Sequence, residues 1–226
     1  MVVNLKRHST VGGAVFQHFC GGAIIAPNII LSAAHCFSAH PFNQPSSWSK
    51  LSILAGSDIT NAHPKKLHGV QARRVISIEV HPGWNSKTYE NDFAILLLQS
   101  KLDYSRSPAN PIGPICMPKK QYDLELLEKL QASGELNCKL AGWGVTDLSN
   151  PSSSNHLMEV ELPWISKSRC NAMFDKDKRT KWISITNQNL CFGKEEGGID
   201  ACQVNKSKCF VCQVQIVSLT YLIIDH

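Results

Sequence analysis

Along most of the chain, short apolar runs alternate with turn-forming clusters. In "HFCGGAIIAPNIILSAAHC" two apolar runs flank the turn Ala26-Pro27-Asn28, which predicts a strand, a tight reversal and a second strand. "KLSILAG", "RRVISIEVHP" and "NDFAILLLQS" read as further strands, the last nearly continuously apolar and so suited to a buried strand. "NCKLAGWG" and "MEVELPWI" repeat the pattern in the second half. Two segments carry helical signals. Asp123 to Ser133 places Leu124, Leu127 and Leu130 at three-residue spacing, and "SKSRCNAMF" offers Ser166 or Ser168 as N-caps. The polar stretch Ser149 to Asn155 reads as a loop, and no internal repeat is visible. Many short strands joined by turns predict an all-β sandwich or barrel.

Composition narrows the class. The 226 residues suit one domain, or one domain built of two similar halves. A hydrophobic fraction of 43% and a charged fraction of 18% are those of a folded soluble chain. The longest apolar stretch, Val214 to Ile224, is too short for a membrane span and is interrupted by Ser218 and Thr220. The net charge of +5 is spread over short pairs (Lys65-Lys66, Arg73-Arg74, Lys119-Lys120) without interleaved aromatics, so no nucleic-acid partner is expected. Nine cysteines point to an oxidising compartment, yet "MVVNLKRHST" lacks the basic and apolar regions of a secretory signal. Together these predict a chain whose front is missing.

Two short motifs bear on chemistry. In "LSAAHCF" a histidine sits beside a cysteine on a small-residue turn after an apolar strand. Alone it reads as a structural histidine. A Cys20–Cys36 disulfide would hold the turn carrying His35 against the preceding hairpin. In "NDFAILLL", Asp92 precedes a buried strand. It either closes a turn or is a buried carboxylate that orients a histidine.

Taken together, "CGGAII…LSAAHC", "NDFAILLL", "PICMP", "CKLAGWG" and "CFGKEEGGIDACQ" occur in the order and approximate spacing of the trypsin/chymotrypsin-like serine peptidases. The chain resembles that family (S1) from Met1 to Gln203. Within it, "GPICMP" and "AGWG" are similar to the ovochymase and acrosin type. The resemblance implies a chymotrypsin-like pair of antiparallel β-barrels, the first about 1–112 and the second about 113–203 and incomplete, followed by an unrelated tail, 204–226. It implies that His35 is the general base, Asp92 its orienting carboxylate, and Asp200 the acid of a pocket for substrate Arg or Lys. Protein or peptide substrates or inhibitors are the implied partners, in a secreted setting. No cofactor is implied.

The resemblance also exposes a gap. Where the family carries Gly-Asp-Ser-Gly-Gly-Pro, this chain has Val204, Asn205, Lys206, Ser207, Lys208 and Cys209. Lys206 stands at the nucleophile position. Ser207 lies one residue on, where its side chain points elsewhere, and the glycines that free the oxyanion loop are gone. A catalytically inactive chain is therefore expected, with a pseudoprotease that binds a partner or acts as a decoy as the alternative.

Other features follow from the same likeness. "TVGG" at Thr10 to Gly13 imitates an activation terminus, but it lies inside the expected first hairpin, and "MVVNLKR" matches the first strand. Disulfides Cys20–Cys36 and Cys170–Cys191 are implied. Cys138 and Cys202 would need partners from a missing C-terminal part, although Cys212 stands where the first partner belongs. Cys116 matches a cysteine that ties to an upstream chain. Cys202, Cys209 and Cys212 lack a second ligand pair for zinc, and "ITNAHPKKLH" lacks the acids of a calcium loop, so no metal is expected. The 23 residues after Gln203 are expected to be translated intron or an alternative terminus, leaving sheet edges open and stability poor.

Overall fold

The computed structural model describes residues 2–9, 15–38, 42–60, 69–105, 112–115, 137–144, 154–176, 186, 189–192 and 212–215. Ten strands dominate: β1 (Val2–Ser9), β2 (Val15–Ala26), β3 (Ile29–Ser32), β4 (Leu51–Ala55), β5 (Gln71–Val80), β6 (Ala94–Leu98), β7 (Asn137–Gly142), β8 (Met158–Ile165), β9 (Asn189–Phe192) and β10 (Cys212–Gln215). Among the described residues the α-helices are the single turn α1 (His35–Ser38) and α2 (Lys167–Lys176), with a 3-10 helix at Pro45–Lys50. The second helical signal is thus placed at α2, with Ser166 just ahead of it accepting from Cys170 N–H. The first, Asp123 to Ser133, lies outside the described residues.

Six strands close an antiparallel barrel in the order β1-β2-β3-β6-β5-β4. The other four form a sheet in the order β10-β9-β8-β7. This is the all-β arrangement that the resemblance implies, with one closed barrel and, among the described residues, one open sheet. The chain divides into two compact units. The first comprises Met1–Pro82, Phe93–Cys116 and Asn155–Leu157; the second comprises Gly83–Asp92, Met117–Ser154 and Met158–His226.

The barrel core follows from the alternation of its strands. Val3 and Leu5, Ile24, Ile30, Leu51 and Ile53, Val75 and Ile78, and Ala94, Leu96 and Leu98 point inward and are buried. Each large aliphatic group removed from water contributes about 1.5–3 kcal/mol before chain entropy is counted. The apolar run of β6 is a correction to the sequence reading. A strand in a closed barrel has one inner face, so Leu96 is fully buried while Leu97 is 37% exposed. Gly22, opposite Val3, is required by close packing: an added Cβ would lie 2.7 Å from Ile30 Cγ2 and 3.1 Å from the Leu31 carbonyl oxygen.

Strand β1 is buried on both faces. Asn4 and Lys6, which alternate with the core residues, are 1% and 2% exposed. The Lys6 ammonium donates to the Thr60 carbonyl oxygen. His18, opposite Lys6 across the β1–β2 pair, places Nδ1 2.8 Å from Asn4 Oδ1. Ser9 pairs with Val15 at the end of the β1–β2 ladder, and Thr10 to Gly13 lie outside the described residues.

In the second unit, Leu140, Trp143, Leu162, Trp164, Ile165 and Phe192 are buried. Ile165, Met173 and the Cys170–Cys191 disulfide pack together and fix α2 to β9.

Candidate active site

Strand β3 delivers His35. The strand ends at Ser32, and buried Ala33 and Ala34 lead into the turn of α1, whose Phe37 and Ser38 N–H groups both donate to Ala34 O at 3.0 Å. Small residues are needed there because the chain bends against the core. Phe37 anchors the turn from below, 1% exposed and edge-on to Phe19 at 6.1 Å, while Phe19 stacks on Phe42 at 5.1 Å. The Cys20–Cys36 disulfide, with Cα atoms 6.5 Å apart, ties the same turn to β2. His35 itself is half-buried, with Nε2 3.6 Å from Cys36 Sγ.

Cys20, His35 and Cys36 bring one potential ligand atom each within 4.8 Å of one another. The two sulfurs are bonded to each other, so neither offers a thiolate, and only the imidazole nitrogen remains as a good metal ligand.

Asp92 is placed by a loop in the second unit. It is 3% exposed and closes the segment from Gly83. Asn85 N donates to Glu90 O at 3.1 Å, Tyr89 N to Asn85 O at 2.8 Å, and Asn91 Nδ2 to Gly83 O at 2.9 Å. Trp84 and Tyr89 meet edge to face at 5.6 Å. Tyr89 and Asn91 both adopt the left-handed conformation at φ 56°. Asparagine tolerates this region, but for tyrosine it is uncommon, so backbone strain sits three residues before Asp92. Burial pushes the Tyr89 hydroxyl above its ordinary range, and the Asp92 charge pushes it further.

In the barrel, Ser32 at the end of β3 pairs with Ala94 at the start of β6. His35 follows Ser32 by three residues and Asp92 precedes Ala94 by two. Asp200, Cys202 and the run Val204 to Cys209, including Lys206, lie outside the described residues, as do Cys116 and the "ITNAHPKKLH" segment beyond Thr60.

A family model described as Trypsin matches residues 1–219. The chain belongs to the trypsin family. The match runs past Gln203, where the sequence motifs end, and takes in β10, which pairs with β9 from Cys212↔Phe192 to Gln215↔Asn189. Among curated proteins, coagulation factor XII of Sus scrofa is 31% identical over 198 residues, covering 87% of this chain and 29% of that protein. Transmembrane protease serine 5 of Homo sapiens is 28% identical over 197 residues, covering 87% of this chain and 38% of that protein. The trypsin-family chain thus spans roughly a third of the length of these relatives. Both disulfides implied by the family likeness, Cys20–Cys36 and Cys170–Cys191, are formed. Among the described residues no helix is long and apolar enough to cross a membrane.

Sequence reasoning did not anticipate buried Asn4 and Lys6 or the half-buried His18 beside them. The one signal available was a lysine and an asparagine interleaved with Val3 and Leu5 in a strand-like run, which reads by default as a solvated outer face.

Proposed function

We propose that this chain carries the scaffold of a trypsin-like serine endopeptidase without its nucleophile, and that it is catalytically inert. In this reading His35 is the remnant general base and Asp92 the carboxylate that orients it. Asp200 is the pocket acid that would pair with a substrate Arg or Lys. The observation that carries the reading is the run Val204-Asn205-Lys206-Ser207-Lys208-Cys209 after Cys202. A lysine amine at the nucleophile position has no hydroxyl for a histidine to activate. Val204 and Ser207, where the family has glycine, restrict the backbone that must turn its N–H groups toward an oxyanion.

The test is hydrolysis of fluorogenic peptides with Arg or Lys before the cleaved bond. The expected result is turnover no faster than buffer. Hydrolysis that disappears in a His35→Ala variant would contradict the proposal. Replacing Val204–Cys209 by Gly-Asp-Ser-Gly-Gly-Pro asks the converse, whether the scaffold still supports the chemistry.

A second reading is favoured by the closed barrel and its formed Cys20–Cys36 bridge. A fold kept without a nucleophile can serve as a pseudoprotease, holding a protein substrate or protease inhibitor as a decoy. Micromolar or tighter binding of a protein inhibitor whose reactive loop presents Arg or Lys, lost on Asp200→Ala, separates this reading from that of a scaffold without a ligand. Two disulfides support an extracellular location for either reading.

A further inference from the structure

We propose that the outer face of β1 holds a small monovalent anion, such as chloride, bound by the Lys6 ammonium and the Asn4 carboxamide. The register puts both side chains on that face. Lys6 is opposite His18 on β2 and Ser52 on β4, and Ser52 is opposite Arg74 on β5. Asn4, two residues before Lys6, is opposite Gly21 and Leu54, and Leu54 is opposite Ala72. These two rungs of the barrel carry two cations and a histidine, and no carboxylate.

Two buried donors on this face lack an acceptor. Lys6 is 2% exposed, and the Thr60 carbonyl oxygen accepts one of its three ammonium protons. Thr60 is itself pinned, its N–H and hydroxyl donating to Asn155 O at 2.9 Å and Oδ1 at 2.8 Å. Asn4 is 1% exposed. Its Oδ1 accepts from His18 Nδ1, which leaves Nδ2 buried with no acceptor. Among the described residues no carboxylate pairs with Lys6: Asp58, two residues before Thr60, turns Oδ2 to His156 Nδ1 at 3.1 Å. A neutral carbonyl does not cancel a buried charge, so the ammonium and the amide are both costly as they stand.

The imidazole of His18 ties the two donors together. It is bonded to Asn4, and burial and then the Lys6 charge lower its pKa to about 4. One uncompensated positive charge calls for one negative charge. The near-complete burial of both donors selects a compact ion over a chain of anions, and such an ion accepts from the ammonium and the amide at once.

The test uses the full chain in mixtures of chloride and gluconate, an anion too large for a buried site, at constant ionic strength. Denaturant unfolding is followed from about 1 to 200 mM chloride, and above the dissociation constant each tenfold rise should lower the unfolding constant about tenfold. Asn4→Asp sets a carboxylate beside Lys6 and should abolish this dependence. Lys6→Met removes the charge and should abolish it too. Lys167→Ala/Arg169→Ala, which removes two exposed cations from α2 in the other unit, should keep it. Chloride should also raise the His18 pKa of the parent by opposing the Lys6 field. If Lys6→Met does not fold, the parent and Asn4→Asp decide, with broadening of the chloride NMR line by the parent alone as the second measurement. A parent whose stability ignores chloride at constant ionic strength would overturn the proposal. So would an equal dependence in the parent and Asn4→Asp, which would mark a general salt effect.

Discussion

The imidazole of His35 places Nε2 3.6 Å from Sγ of Cys36, its neighbour in the chain and one half of the bridge to Cys20. His35, the proposed remnant base, is therefore held on a turn that the bridge ties to β2. Closing a loop of this size removes about 3 kcal/mol of unfolded-chain freedom. A Cys20→Ser/Cys36→Ser variant should lose about that much stability by denaturant titration. Its His35 resonances should broaden or shift while those of β8 and α2 stay in place. A variant as stable as the parent would show that the core, with Phe37 beneath the turn, suffices.

Acid should weaken the barrel through His18. Burial, and secondarily the positive charge of Lys6, lowers its pKa from 6.5 to about 4. The folded state thus keeps the ring neutral where the unfolded chain takes up a proton. Stability is fully present above about pH 6.5, falls as pH drops toward 4, and levels off below that. The loss is at most about 3 kcal/mol. His8, with its pKa lowered in the same direction, adds a smaller loss of the same sign. Stability measured from pH 7.5 to 4 should show this slope, His18→Gln should flatten it, and Lys6→Met should raise the His18 pKa in an NMR titration. A His18 pKa near 6.5 in the folded parent would contradict the buried arrangement.

Packing around Gly22 makes a sharper demand. A methyl group there would press on fully buried Ile30 and on the Leu31 carbonyl. Gly22→Ala should cost about 1–3 kcal/mol in chemical denaturation, whereas Gly21→Ala, whose added methyl meets nothing within 4 Å, should cost less. Equal effects at the two positions would argue against the close approach of β1, β2 and β3.

How much of this was legible depended on the kind of signal. Strands β2 and β3 were readable because two apolar runs flank Pro27-Asn28, and β4, β5, β7 and β8 because their patterns are long enough to register. The one-turn helix at His35 and the four-residue strands β9 and β10 are too short for periodicity to reveal. The inward and outward faces of β6 were not separable in a run where both are apolar. Nothing in the sequence marked Lys6 and Asn4 as buried, since polar residues in an alternating strand ordinarily face water. At the candidate site, the motifs around His35 and Asp92 left structural and catalytic readings open, and the proposed roles come from likeness to a family. The left-handed turn at Tyr89 had no sequence signal, because nothing about tyrosine marks such a conformation.

The central claim is that a trypsin-family chain with Lys206 at the nucleophile position lacks acyl-transfer chemistry. Labelling of the purified full chain with a fluorophosphonate probe tests it most directly, alongside the His35→Ala variant. The account predicts no labelling of either protein above that of the heat-denatured chain. Stoichiometric labelling of the parent that His35→Ala abolishes would mean that an activated serine exists elsewhere in this fold, and would contradict the claim.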